Sequence, residues 1–173
     1  MRPTLFTIDR PGPGRLSTMA KPRGGDWLTD ELTALRAAGV DILVCALPAA
    51  ELDEVDLAGE PRAATGAGLE FVSIPIADRG VPDPAAVLPG LRRLTERLRA
   101  GDHIVTHCRF GIGRASLLAA GILVLDGLAP EHAWQRIERA RGLAVPDSPG
   151  QREWPAALLA LAQPAHPHRG PRR

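Results

Sequence analysis

The sequence predicts a single α/β domain over residues 1–163, with a short, mostly parallel central sheet flanked by helices. Three observations predict it: short apolar runs bounded by Gly and Pro, helical patterns alternating with those runs, and a final third that carries helical patterns alone. At 173 residues the chain has the length of one ordinary domain, enough to bury roughly 70% of the surface its unfolded form exposes.

The expected strands are Leu5 to Ile8, Arg15 to Met19, Asp41 to Leu47, Leu69 to Ile76 and His103 to His107. Between the second and third, Trp27, Leu28, Leu32, Leu35 and Ala38 recur at helical spacing and stop at Gly39, a good C-terminal cap. A second helix is expected from Asp83, an N-cap followed by Pro84 at the first helical position; Val87, Leu88, Leu91, Leu94 and Leu98 form its buried face before Gly101. After His107 come Gly111-Ile112-Gly113 and an apolar helix from about Arg114 to Leu125. Two more helices are expected near Pro130 to Arg141 and Pro149 to Gln163. Residues 164–173 have no apolar periodicity and are read as a disordered tail.

The 21 basic and 20 acidic residues are interleaved and leave a net charge of +1, so no overall field selects nucleic acid or an anionic membrane. Affinity for anions must therefore be local. The N-terminal segment lacks the apolar stretch of a secretory signal, and the longest nearly apolar run, Leu117 to Leu125, is about half a membrane span. The expectation is a cytoplasmic protein with no membrane insertion. Of the two cysteines, Cys45 lies in an apolar run, where a core role and a role as resolving partner of an oxidised Cys108 are both open.

The chemistry concentrates in His107-Cys108-Arg109-Phe110-Gly111-Ile112-Gly113-Arg114. Cys108 directly follows an apolar strand and precedes Arg114 by six residues, with two glycines between them and a helix starting at the far end. Glycines allow successive N–H groups to turn inward, and the helix adds its positive end, so the segment is a cradle for an anion. A thiol in such a field ionises more readily, and the thiolate is the nucleophile. Arg114 offers a planar guanidinium that suits two phosphate oxygens. Arg109, Phe110, Gly111, Ile112, Gly113 and Arg114 are thus the expected phosphate-binding residues.

HCRFGIGR resembles HCxxGxxR, the signature of the protein tyrosine and dual-specificity phosphatase superfamily, and the pattern is similar to the small kinase-associated type of dual-specificity phosphatase. The segment Ser73 to Asp83 resembles the loop that carries the general acid in that family, and the match falls on Asp78, thirty residues before Cys108. Weaker similarity runs from about Pro13 to Ala162. The resemblance implies an enzyme that hydrolyses phosphate monoesters through a phosphocysteine, with Cys108, Arg114 and Asp78 as catalytic residues, no metal and no cofactor. Its substrates would be phosphorylated proteins, phosphotyrosine above all, or small phosphomonoesters. Chemistry separately requires an acid, because an alkoxide departs poorly unless it is protonated. Asp83 also lies in that loop but has a sufficient role as a helix cap. The histidines show no metal-ligand spacing.

His107 corresponds to the family histidine before the nucleophile, so it either fixes the loop and the thiolate or simply ends a strand. The family usually has Ser or Thr after the signature arginine, and this chain has Ala115, with Ser116 one further on. That departure bears on breakdown of the phosphocysteine. Arg109 either widens preference toward more anionic substrates such as phosphoinositides or points to solvent; Phe110 either flanks the pocket mouth or packs under the loop. Gln151 resembles the region of a water-positioning glutamine in relatives, and Trp27, Trp134 and Trp154 are read as packing residues. With no Tyr in the chain, the tyrosine-bearing recognition loop of tyrosine-specific relatives is excluded and a shallower site is expected. Rival readings are a phosphoinositide, nucleotide or RNA 5′-phosphate phosphatase, and a weakly catalytic module that binds phosphoproteins. The lack of a basic stripe argues against nucleic acid.

Overall fold

Five strands form one sheet in the order β1-β2-β5-β3-β4 in the structure, a computed structural model that describes residues 2–164. They are β1 (Phe6–Thr7), β2 (Arg15–Met19), β3 (Ile42–Cys45), β4 (Glu70–Ser73) and β5 (His103–His107). Only β1 runs antiparallel, against β2; the β2–β5, β5–β3 and β3–β4 pairs are parallel. The expected fold class is therefore the observed one, and the tail expected over residues 164–173 lies, apart from Pro164, outside the described residues. Continuous burial along β3 explains why that strand reads as an unbroken apolar run, and β5 is buried throughout although it carries His103, Thr106 and His107.

The helices are α1 (Leu28–Ala37), α2 (Ala49–Glu54), α3 (Glu60–Gly66), α4 (Pro84–Arg99), α5 (Arg114–Leu125), α6 (Pro130–Arg141) and α7 (Pro149–Ala162). Helices α1 and α3 pack together beside β4, while α4, α6 and α7 surround α5, which lies against β2 and β5. Helix α5 is buried from Arg114 to Val124, as the nearly apolar run from Leu117 requires. The cap of α4 forms as its sequence indicates: the Asp83 carboxylate accepts the Ala85 N–H at 3.2 Å, and Pro84 opens the helix.

The segment between β3 and β4, for which the sequence reading names no element, folds into the short helices α2 and α3. The packing role expected of Trp27 is corrected: it lies in a 3₁₀ turn, is 56% exposed and stacks under the Arg23 guanidinium at 4.3 Å, whereas Trp134 and Trp154 are buried. Among the described residues no helix is long and apolar enough to cross a membrane.

Candidate active site

Strand β5 lies at the middle of the sheet, and its carboxyl end opens where α-helical connections leave on both sides, the usual place for a ligand in an open parallel sheet. His107 ends the strand and Cys108 follows it, 3% exposed and with a free thiol. The next residues loop around the amino end of α5.

The direction of the loop peptides follows from their carbonyls. The Cys108 carbonyl accepts from His107 Nδ1 at 3.1 Å, the Arg109 carbonyl from the Lys21 N–H at 3.2 Å, and the Phe110 and Gly111 carbonyls from the Arg141 guanidinium at 3.3 and 3.4 Å. In a trans peptide the N–H points opposite to the carbonyl. The N–H groups of Arg109, Phe110, Gly111 and Ile112 are thereby turned to the other side, and among the described residues none of them donates to a protein acceptor. That is a set of donors prepared for an anion.

The two glycines serve different needs. Gly111 has φ +73°, and a Cβ there would come within 2.6 Å of the Met19 carbonyl, so the loop closes against the end of β2 only with glycine. Gly113 has an ordinary φ of −90°; a Cβ there would lie 2.2 Å from the Asp147 carboxylate. The special backbone angle expected of Gly113 is therefore corrected to a close approach by the segment before α7.

Arg114 is 3% exposed. Its Nη1 donates to Glu51 Oε1 at 2.6 Å and to the Ile76 carbonyl at 3.0 Å, and its Nη2 donates to Glu51 Oε2 at 3.0 Å. Of its five N–H groups these bonds occupy three, which leaves the Nε–H and one Nη2–H for a substrate. Burial works against the guanidinium charge, but Glu51 together with Cys108 and Asp78 hold its pKa above the ordinary value. The bond to Arg114 in turn holds the Glu51 carboxyl below the usual range.

Asp78 stands on the opposite rim, its side chain 71% exposed and Oδ1 at 3.5 Å from Arg114 Nη2. Asp83 is engaged as the helix cap. The Asp78 loop is tied to the start of α7: Gln151 Nε2 donates to the Gly80 carbonyl at 3.1 Å, Ser148 Oγ to the Arg79 carbonyl at 3.3 Å, and Trp154 Nε1 to the Pro82 carbonyl at 2.8 Å. Arg79 itself holds φ +58°, a conformation that a non-glycine residue keeps only when its surroundings fix it. Both ends of the Gln151 amide are engaged, since Oε1 accepts the Asp147 N–H at 3.2 Å, and the residue fastens the loop to α7.

Phe110 is 67% exposed, so it does not pack under the loop. Arg109 pairs with Glu54 at 3.1 Å. Cys45 is buried and accepts the Leu47 N–H at 3.4 Å. The Ala115 carbonyl accepts from Thr106 Oγ1 at 2.8 Å, and the Ser116 hydroxyl is buried with no partner among the described residues, so it makes no bond to Cys108. Sequence reasoning missed Glu51, Glu60, Asp147 and Arg141. Pro48 followed by Ala-Ala-Glu was the available signal for Glu51, as the start of a helix with an acidic first turn; Glu60 carried none.

The family described as "Polymorphic toxin system, DSP-PTPase phosphatase" matches residues 17–128. The human protein cyclin-dependent kinase inhibitor 3 is 37% identical over 70 residues, covering 39% of this chain and 33% of that protein, so the match spans about a third of that relative's length. The crystal structure of the kinase associated phosphatase with its catalytic-site cysteine replaced by serine has a TM-score of 0.77 at 21% identity, over 92% of this chain and 98% of that one. Tk-PTP in its active form has a TM-score of 0.70 at 25% identity, over 90% and 97%.

Proposed function

Because the chain belongs to the DSP-PTPase phosphatases of polymorphic toxin systems, we propose that it hydrolyses phosphate monoesters on proteins, phosphotyrosine first and phosphoserine or phosphothreonine besides, through a phosphocysteine. The observation that carries this reading is the loop itself. Its four carbonyls are bonded outward, its N–H groups are free on the other side, and Arg114 keeps two N–H groups unused beside Cys108.

In the first step the Cys108 thiolate attacks phosphorus, the ester P–O bond breaks, and Asp78 gives its proton to the departing oxygen. In the second, Asp78 takes a proton from water as that water attacks phosphorus, and the S–P bond breaks to return the thiolate and orthophosphate. Loop N–H groups and Arg114 stabilise the phosphoryl oxygens in both steps. Support for Asp78 comes from its position 3.5 Å from Arg114 and from the commitment of Asp83 to the α4 cap. The reaction as written uses no metal and no cofactor. We assign the enzyme to the cytoplasm, where the free thiols of Cys45 and Cys108 stay reduced.

The pairing of Arg109 with Glu54 weakens the phosphoinositide reading, since that charge is already matched. The test is hydrolysis of phosphotyrosine, phosphoserine, phosphoinositide and nucleotide substrates by wild type and Cys108→Ser. Phosphotyrosine turnover is expected in wild type and is expected to vanish in the variant, with orthovanadate inhibiting and EDTA without effect. Turnover in Cys108→Ser within tenfold of wild type would end the covalent mechanism. Phosphate binding without turnover in wild type would favour a binding module.

A further inference from the structure

His107 and Glu60 form a pair sealed beneath the phosphate loop. Both side chains are wholly buried, and His107 Nε2 lies 2.6 Å from Glu60 Oε1. The other ring nitrogen, Nδ1, lies 3.1 Å from the Cys108 carbonyl, which can only accept, so Nδ1 carries a proton. A second proton lies between Nε2 and the carboxylate. It either makes the pair imidazolium and carboxylate or leaves it neutral.

The titratable groups facing the ring are Glu60 from α3 and Cys45 from β3, and Cys108 follows it in the chain. Burial lowers the pKa of His107, yet Glu60 and Cys45 outweigh it and hold the ring well above its ordinary range. Glu60 Oε2 has no hydrogen-bond partner among the described residues, so His107 is the group that matches the carboxylate, and a carboxylate is taken out of water only where a partner matches it.

Cys45, Glu60 and His107 also present ligand atoms within 4.8 Å of one another. A metal ion among them is disfavoured by the direct 2.6 Å bond between two of the three atoms. Ligands sharing one ion, each about 2.0–2.2 Å from it, sit farther apart than that at tetrahedral angles.

We propose that Glu60 is a positioning residue of the phosphatase reaction: it keeps His107 as an imidazolium under the loop, a fixed positive charge one residue from the nucleophile. This rests on the reading of Cys108 as nucleophile. The carboxylate touches neither substrate nor sulfur; it acts through the ring. The ring's second bond, to the Cys108 carbonyl, ties the same charge to the peptide that aims the next N–H into the cradle. Removing the carboxylate would let the ring lose its proton. The Cys108 thiolate would then lose a neighbouring cation, and ionisation of the thiol would require higher pH.

The experiment is the pH dependence of Cys108 alkylation by iodoacetamide in wild type and Glu60→Gln, with the kcat/KM profile of each for an aryl phosphate. In the variant the midpoint of alkylation and the acidic limb of kcat/KM should both move up by about one pH unit, so that rates fall roughly tenfold well below the wild-type midpoint and converge well above the variant's. A loss of the same size at every pH, with the midpoint unmoved, would overturn the proposal and leave Glu60 a packing partner. Should Glu60→Gln fail to fold, 15N NMR of the imidazole in wild type decides. Both ring nitrogens protonated at pH 7 and 8 is the expected result, and a singly protonated ring at pH 7 overturns it. Stoichiometric zinc in the purified protein, with alkylation altered by chelation, would also overturn it and assign the trio to a metal. Alkylation and NMR need no turnover, so a protein that passes both and hydrolyses nothing would count against the proposed function alone.

Discussion

Strand β5 carries a histidine at each end, and the same core treats the two in opposite ways. At the start of the strand, His103 is 3% exposed; burial, with Arg15 adding to it, pushes its pKa down to about 4, against a smaller pull from Asp41. At the far end, four residues on, burial acts in the same direction on His107, but Glu60 reverses the outcome. The difference is what each ring touches. His103 Nε2 meets the Ser17 hydroxyl at 2.8 Å, and the nearby Asp41 carboxylate bonds the His103 backbone N–H at 2.9 Å instead of the ring. Burial by itself makes a histidine neutral, and a buried carboxylate on one ring nitrogen makes it a cation. One end of the strand is thereby scaffold, and the other is where a charge can serve chemistry.

The sharpest way to test this division is at the loop end. Asp78→Asn should lower kcat/KM by roughly a hundredfold or more for a substrate with a poor leaving group, by much less for one with a good leaving group, and should flatten the limb that falls with rising pH. Equal losses with both substrates would remove Asp78 from the acid role. A gain is expected one helical step from Arg114. Ala115 offers no hydroxyl to the departing sulfur, and the Ser116 hydroxyl makes no bond to it, so rapid mixing with an aryl phosphate should show a burst of phenol followed by slow turnover. Ala115→Ser should raise the steady rate by about tenfold to a hundredfold, the worth of one charge-assisted hydrogen bond. No burst and no gain would show that the thiolate leaves without that help.

The smallest effect on turnover is expected at the other end. His103→Gln should leave kcat within about twofold, because the ring bonds Ser17 at the far end of the strand and touches no residue of the loop. Stability is where His103 acts. Its folded pKa, about 4, lies below the unfolded value near 6.5, so the unfolded chain binds more protons between those limits and stability falls as pH drops from 6.5 to 4. The ceiling of that loss is about 3 kcal/mol, and it should be absent in His103→Gln. Urea titrations of both proteins from pH 7 to 4 measure it; parallel curves would mean that the ring is solvated when folded.

Much of this arrangement was legible in the chain. Strands β2 and β5 are legible to the residue from their apolar positions, Leu16, Met19, Ile104 and Val105, and from Gly14 and Gly101 just before them. The span from Cys108 to Arg114 revealed the cradle because few other functions need two glycines between a strand and a helix. What stayed hidden shares a cause. Helices α2 and α3 are six and seven residues long and bury few side chains, so they show no apolar face to read. Glu51 and Glu60, which they carry, look like surface carboxylates until the fold brings each against a partner 63 or 47 positions away. The exposure of Trp27 eluded the sequence for the converse reason, since a large aromatic at helical spacing gives no sign that an arginine will cover it.

The fastening of the Asp78 loop by Gln151, Ser148 and Trp154 has a consequence for inhibition. A loop already fastened to α7 has surrendered much of its disorder during folding, so a ligand has little to gain or lose by ordering it. Tight binding must then come from fit to the site as folded rather than from inducing closure. Rigid phosphate mimics sized to that site should show fast association and affinities that change little between soft and stiff scaffolds of equal contact area.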